Sequence, residues 1–282
     1  SGPEQSSEVL TPNIIWLVAE DQSPEFFPMY GNLTTELPYL SSLAKDGVLF
    51  TNAYSPTPVC APARSALISG MYPSTLGTHN MRTYNAYKKE NEPSIGIPSY
   101  SPPVPQGVKM FPQYLRAKGY YTTNNAKEDY NFKKTEGVWD ESSPQAHWKN
   151  RNPNQPFFAV FNFGITHESQ IWKQGDQPLL VEPETLPVPP IFPDSPEVRK
   201  DLAVNYSNLI RLDKQIGKIQ NKTIIKNKLS VKQIYPYLFV KIVLCIVNAT
   251  IILNREKMLQ AFKAHKLLIK DSVNTYIIIF IV

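Results

Sequence analysis

The chain has 282 residues, 42% hydrophobic and 19% charged, which fits a globular chain holding one large α/β domain or two small ones. Its net charge of +5 is unevenly placed: residues 218–282 carry ten Lys and one Arg against Glu256 and Asp271, which leaves residues 1–217 at −4 and excludes a nucleic-acid role for that larger part. The two cysteines, Cys60 and Cys245, stand far apart in unlike surroundings, which excludes a disulfide framework.

The chain opens at Ser1, and no basic stretch followed by an apolar one precedes the first strand-like run, so residues 1–10 are expected to be a disordered leader and any signal peptide is expected to be missing from this chain. Asn13 to Ala19 is a short apolar run of strand length ending at Glu20-Asp21, the pattern of a buried parallel strand. Leu37 to Asp46 has helical spacing with Gly47 as its stop, and Val48 to Ala53 reads as a short strand. Pro62 suits a first helical position, with Gly70 as the stop, so Cys60 is expected at the mouth of that helix. Residues 84–107 read as a long surface excursion. Met110 to Lys118 is expected to be a helix, Tyr120 to Thr123 a strand, and Phe157 to Gly164 a second strand that delivers Thr166-His167-Glu168. The Pro-rich stretch from Pro178 to Pro196 is expected to run extended, and Leu202 to Ile219 resumes helical spacing.

Several residues point to chemistry. Paired carboxylates such as Glu20 and Asp21 at a strand's carboxyl end are costly unless a cation neutralises them, and hard oxygen ligands suit Ca²⁺, with Mg²⁺ as the alternative. A bland reading, a solvated acidic loop, competes with it. His167 follows an apolar strand and has a side chain whose pKa lies near neutrality.

The segment Val59-Cys60-Ala61-Pro62-Ala63-Arg64-Ser65-Ala66-Leu67-Ile68-Ser69-Gly70 closely resembles the signature of the formylglycine-dependent, type I sulfatases, whose core is CxPxR. The resemblance covers roughly residues 11–219 and implies an alkaline-phosphatase-like α/β/α sandwich with a mainly parallel central sheet, incomplete at its carboxyl end. It implies that Cys60 is oxidised to formylglycine by a formylglycine-generating enzyme, that Glu20, Asp21 and the modified Cys60 hold the metal, and that one hydroxyl of the aldehyde hydrate attacks sulfur. Arg64 and Lys127 would hold the anion, and His167 would protonate the leaving oxygen. His79 and His147 would line the substrate cleft. Two departures stand out: Glu20 replaces an aspartate, and Asp129 stands where the family carries a histidine. Gly77 to Arg82, Trp139 to Glu141 and Ala146 to Trp148 look most like the heparan N-sulfatase branch, which implies a sulfated carbohydrate as partner and a lysosomal, secreted or periplasmic location.

All twelve Gly and every Pro but Pro236 fall before residue 218. Residues 220–270 are expected to be an atypical insert with the composition of translated noncoding sequence, and residues 271–282 to hold a final strand opening at Asn274-Thr275. A membrane anchor at Ile234–Leu253 is the rival reading, made costly by Lys241 near its centre. Four patterns, at Asn32, Asn205, Asn221 and Asn248, permit N-glycosylation. The resulting expectation is hydrolysis of a sulfate ester or sulfamate. Its alternatives are phosphonate or phosphate ester hydrolysis on the same fold, and an inactive fragment lacking the second half of the metal site.

Overall fold

The computed structural model describes residues 11–51, 53–81, 96, 100–226, 242–246 and 275–281. The leader, most of the excursion at 84–107 and most of Ile234–Leu253 lie outside these residues. A seven-stranded sheet, parallel throughout, forms the centre in the order β2-β6-β7-β1-β5-β3-β4. Its strands are β1 (Asn13–Ala19), β2 (Val48–Leu49), β3 (Tyr121–Asn125), β4 (Glu141–Ser142), β5 (Phe157–Phe163), β6 (Ile242–Ile246) and β7 (Thr275–Ile281). The helices are α1 (Pro38–Lys45), α2 (Cys60–Ser69), α3 (Pro73–Leu76), α4 (Phe111–Arg116), α5 (Gln170–Lys173) and α6 (Pro196–Lys226).

Strand periodicity sorts the side chains into two cores, giving an α/β/α sandwich. Ile15, Leu17 and Ala19 of β1, with Phe157, Ala159, Phe161 and Phe163 of β5, pack against α1 and α6. Trp16 and Val18, with Phe158 and Val160, face the other way toward α2 and α4. Because both faces are covered, the two strands read as unbroken apolar runs. Phe158 is fully buried, its ring meeting Trp16 at 4.9 Å, Phe111 at 5.3 Å and Trp139 at 5.8 Å.

Three boundaries differ from the sequence reading, the first being β2, which covers only Val48–Leu49 of the strand expected over Val48 to Ala53. Helix α2 begins at Cys60, not at Pro62, with Val59 as its extended N-cap. Proline is tolerated at the third position because the first turn's N–H groups have no intrahelical acceptor. Helix α6 begins at Pro196, six residues before the apolar spacing resumes, with the hydroxyl of Ser195 accepting from the Val198 N–H at 3.4 Å. Strand β6 lies within the stretch read as an atypical insert, and β7 spans Thr275–Ile281.

Helix α1 has no capping side chain of its own. Asp213 of α6 supplies one, its carboxylate accepting from Leu40 N–H at 2.8 Å and Tyr39 N–H at 3.3 Å. The same two helices approach so closely at Gly217 that a Cβ there would stand 2.6 Å from the Tyr39 ring. Among the described residues no helix is long and apolar enough to cross a membrane.

Candidate active site

In parallel sheets the strand ends level at one edge, and the chain leaves each strand there with its polar residues. Ala19 pairs with Phe163 and Asn125 with Phe161, so the segments beginning at Glu20, Ala126 and Gly164 leave the sheet side by side. Thr166 ties two of them together by accepting the Glu20 N–H at 3.1 Å through its hydroxyl.

Glu20 is 1% exposed, and its Oε2 lies 2.7 Å from the ammonium of Lys127. Its other oxygen, Oε1, is buried with no hydrogen-bond partner among the described residues. Asp129 Oδ2 is 3.5 Å from the same ammonium. Burial draws the Lys127 pKa down, but Glu20, Asp129 and Cys60 outweigh it and the net shift is upward, so the lysine stays charged.

Asp21 is held at φ 51°, in the left-handed region, where non-glycine residues cluster at functional sites. Its Oδ2 accepts the Glu168 N–H at 2.7 Å and lies 3.8 Å from His167 Nε2. Burial is the main reason its carboxyl titrates above the usual range. The ring of His167 is oriented from behind, with Nδ1 accepting the Ser169 N–H at 3.1 Å, which leaves Nε2 facing Asp21 and, at 4.0 Å, Glu20.

Cys60 is half-buried at the first position of α2, and the charges of Lys127, Asp129 and Glu20 reach its thiol. Burial, the largest influence, raises its pKa above the ordinary 9.0. Such a thiol stays protonated near neutrality and is a poor nucleophile as it stands.

Arg64 is 3% exposed, and its guanidinium is spent on protein. Nε donates to the Glu128 carbonyl at 3.0 Å, Nη2 donates to the Lys127 carbonyl and to Asn162 Oδ1 at 2.8 Å, and Nη1 is buried with no hydrogen-bond partner among the described residues. In this structure Arg64 therefore holds the backbone that carries Lys127, one step removed from the anion-holding role expected for it. Asn162 extends the clamp by donating to Asn124 Oδ1 at 2.9 Å and the Asn125 carbonyl at 3.0 Å.

The remaining expected residues are placed differently. His79 is exposed, with Asn80 as its neighbour at 3.4 Å. His147 caps a short turn and packs on Trp148 and Phe161, whose face of β5 is opposite to that of Asn162. Neither has a described contact to Glu20, Lys127 or His167. Glu20, Asp21 and Cys60 do not make a metal shell by themselves: among the described residues no group of three or more His, Cys, Asp and Glu side chains is gathered closely enough to hold a metal. One Glu20 oxygen is bridged to Lys127 and one Asp21 oxygen to a backbone N–H.

Sequence reasoning missed the parts played by Thr166, Asn162 and Asp129. Asn162 left a signal, a single amide interrupting the apolar run Phe157–Phe163.

The Sulfatase family model matches residues 12–222. An ulvan-active sulfatase of Formosa agariphila is 40% identical over 243 residues, covering 74% of this chain and 40% of that protein. The N-acetylgalactosamine-6-sulfatase of Homo sapiens is 33% identical over 111 residues, 39% of this chain and 20% of the relative. The chain thus spans well under half the length of these relatives. Among solved structures, a 2-O GAG sulfatase superposes with a TM-score of 0.51 at 17% identity, covering 74% of this chain and 53% of the other, which shows the shared fold.

Proposed function

This chain belongs to the sulfatase family, and on that premise we propose that it serves the hydrolysis of a sulfate ester carried by a sugar. The observation that carries the reading is the meeting of Glu20, Lys127 and Asp129 beside Cys60 at the mouth of α2. A sulfate ester is an anion that repels nucleophiles, so its site needs fixed positive charge and an activated oxygen. Lys127 supplies the first, and formylglycine made from Cys60 would supply the second.

A divalent cation fits the residues present. Two carboxylates, Glu20 and Asp129, flank the one ammonium of Lys127, and the orphaned Oε1 of Glu20 is a buried acceptor that a cation would satisfy. Glu20 and Asp21 would hold it, with Ca²⁺ or Mg²⁺ as the hard ions such oxygens select. When bound, it polarises the ester and neutralises charge developing on oxygen.

The protein's own groups do the rest. The free N–H groups at the start of α2 point toward the anion and favour it. Lys127, its backbone held by Arg64, fixes one sulfate oxygen. His167 Nε2, oriented through Nδ1, delivers a proton to the departing alcohol oxygen. Relatives named for ulvan and for N-acetylgalactosamine support a sugar as the carrier. The oxidation of Cys60 requires a formylglycine-generating enzyme as partner, and a secretory, lysosomal or periplasmic location suits such a substrate.

Two measurements test this. Mass spectrometry of the Cys60 peptide should show the thiol replaced by an aldehyde, and the protein should turn over an aryl sulfate faster than an aryl phosphonate. An unmodified thiol in all preparations, or a preference for the phosphonate, overturns the reading.

A further inference from the structure

We propose that Asp129 sets the specificity of this site, selecting a sulfated ring that offers a free hydroxyl, and not a second anion, beside the reacting sulfate. The inference rests on the sulfatase reading and goes beyond it by naming the substrate's neighbouring group.

Asp129 belongs to two places at once. Its Oδ2 is 3.5 Å from the Lys127 ammonium, and the residue also lines a cleft of about 220 Å³ with Ser101, Glu128, Asn131, Phe132 and Lys134. An anion held by Lys127 therefore has the Asp129 carboxylate beside it, and the cleft begins at that same residue. The polar lining is rich in acceptors. Asn131, 4% exposed, keeps its Oδ1 without a hydrogen-bond partner among the described residues, and the ammonium of Lys134 is engaged 3.2 Å from Glu128. An ionised carboxylate only accepts hydrogen bonds, so a hydroxyl meets Asp129 as a charge-assisted donor. A second sulfate or a uronate carboxylate in that position meets like charge at partly buried distance and is rejected.

The carboxylate is held in place. Asp129 and Asn131 adopt φ of 52° and 59°, and the segment is fastened at both ends. Arg64 holds the Lys127 and Glu128 carbonyls, while Asn131 Nδ2 donates to the carbonyls of Thr78 and Asn80. A group fixed in this way discriminates, since moving it aside would break bonds elsewhere.

The test uses Cys60→Ala protein and two glycosides, one monosulfated and one with the adjacent hydroxyl replaced by a second sulfate, with affinities read by calorimetry. The monosulfated sugar should bind at least tenfold more tightly. Asp129→Asn, which keeps the shape and tolerates a positive φ, should narrow the gap below threefold by improving binding of the disulfated sugar. Asp129→Gly, which also accepts that backbone, should do the same. Equal affinities in the parent, a gap unchanged by either substitution, or no binding of either sugar overturns the proposal. Turnover of a simple aryl sulfate by the modified protein tests the sulfatase reading separately: turnover without the binding preference sinks only the role of Asp129, and the preference without turnover sinks only the reading.

Discussion

Glu20 and Lys127 meet at 2.7 Å although 107 residues separate them, and their contact fastens the end of β1 to the segment beyond β3. Removing the lysine strips the anion site of its fixed ammonium. Lys127→Ala is expected to lower kcat/KM on an aryl sulfate by about 10²–10³-fold, as for loss of one preorganised oxyanion donor. Unfolding should become easier by about 1–2 kcal/mol, below the ~3–5 kcal/mol of a fully buried pair because Lys127 is 28% exposed. Steady-state kinetics and a denaturant titration check the two figures.

His167→Gln should cost about 10²-fold or more in kcat while leaving substrate affinity nearly unchanged. A variant that keeps the parental kcat places the proton donor elsewhere.

The unmodified thiol of Cys60 gives a pH prediction with a definite sign. Burial raises its pKa, so alkylation at neutral pH should be slow and should accelerate about tenfold per unit until the pH exceeds 9.0. Lys127 lowers that pKa and Asp129 raises it. Lys127→Ala should therefore move the alkylation profile to higher pH, and Asp129→Asn to lower pH, as read by mass spectrometry of the Cys60 peptide.

Ca²⁺ should stabilise the protein by about 2.7 kcal/mol at a hundredfold excess over its Kd, and a chelator should reverse the gain. Glu20→Gln should abolish most of this response. A thermal shift in the variant equal to that of the parent removes Glu20 from the cation site.

Gly217→Ala should destabilise the fold by about 1–3 kcal/mol through overpacking, because the new methyl meets the Tyr39 ring. The cost should fall sharply in a Tyr39→Ala background. A double-mutant cycle reads that coupling directly.

How much of this was legible in the sequence depended on what each residue type reports. β1 and β5 could be read because burial on both faces makes the apolar run continuous. The start of α6 was concealed by the prolines before it, even though Ser195-Pro196 is itself a start signal. β6 fell in a stretch whose composition suggested an insert, and five apolar residues are too short to declare a partner. At the site, Glu20, Asp21 and His167 stood out through their chemistry and their place after strands, whereas Cys60 and Lys127 stood out through the family resemblance. The clamp formed by Arg64 and Asn162 did not, because an arginine that binds backbone carbonyls leaves the same sequence trace as one that binds a ligand. Asp129 was visible only as a departure from the family pattern, and its meaning came from its distance to Lys127.

The strand order has a consequence for biosynthesis. Ile14 pairs with Phe158 on one side and Tyr276 on the other, so β1 leaves the ribosome before both neighbours and waits for them. Until they arrive it is a greasy ribbon with two open edges, the form in which nascent chains stick to one another. A period with both edges of β1 unpaired during synthesis is thus written into the topology, independent of how firmly the finished domain holds together.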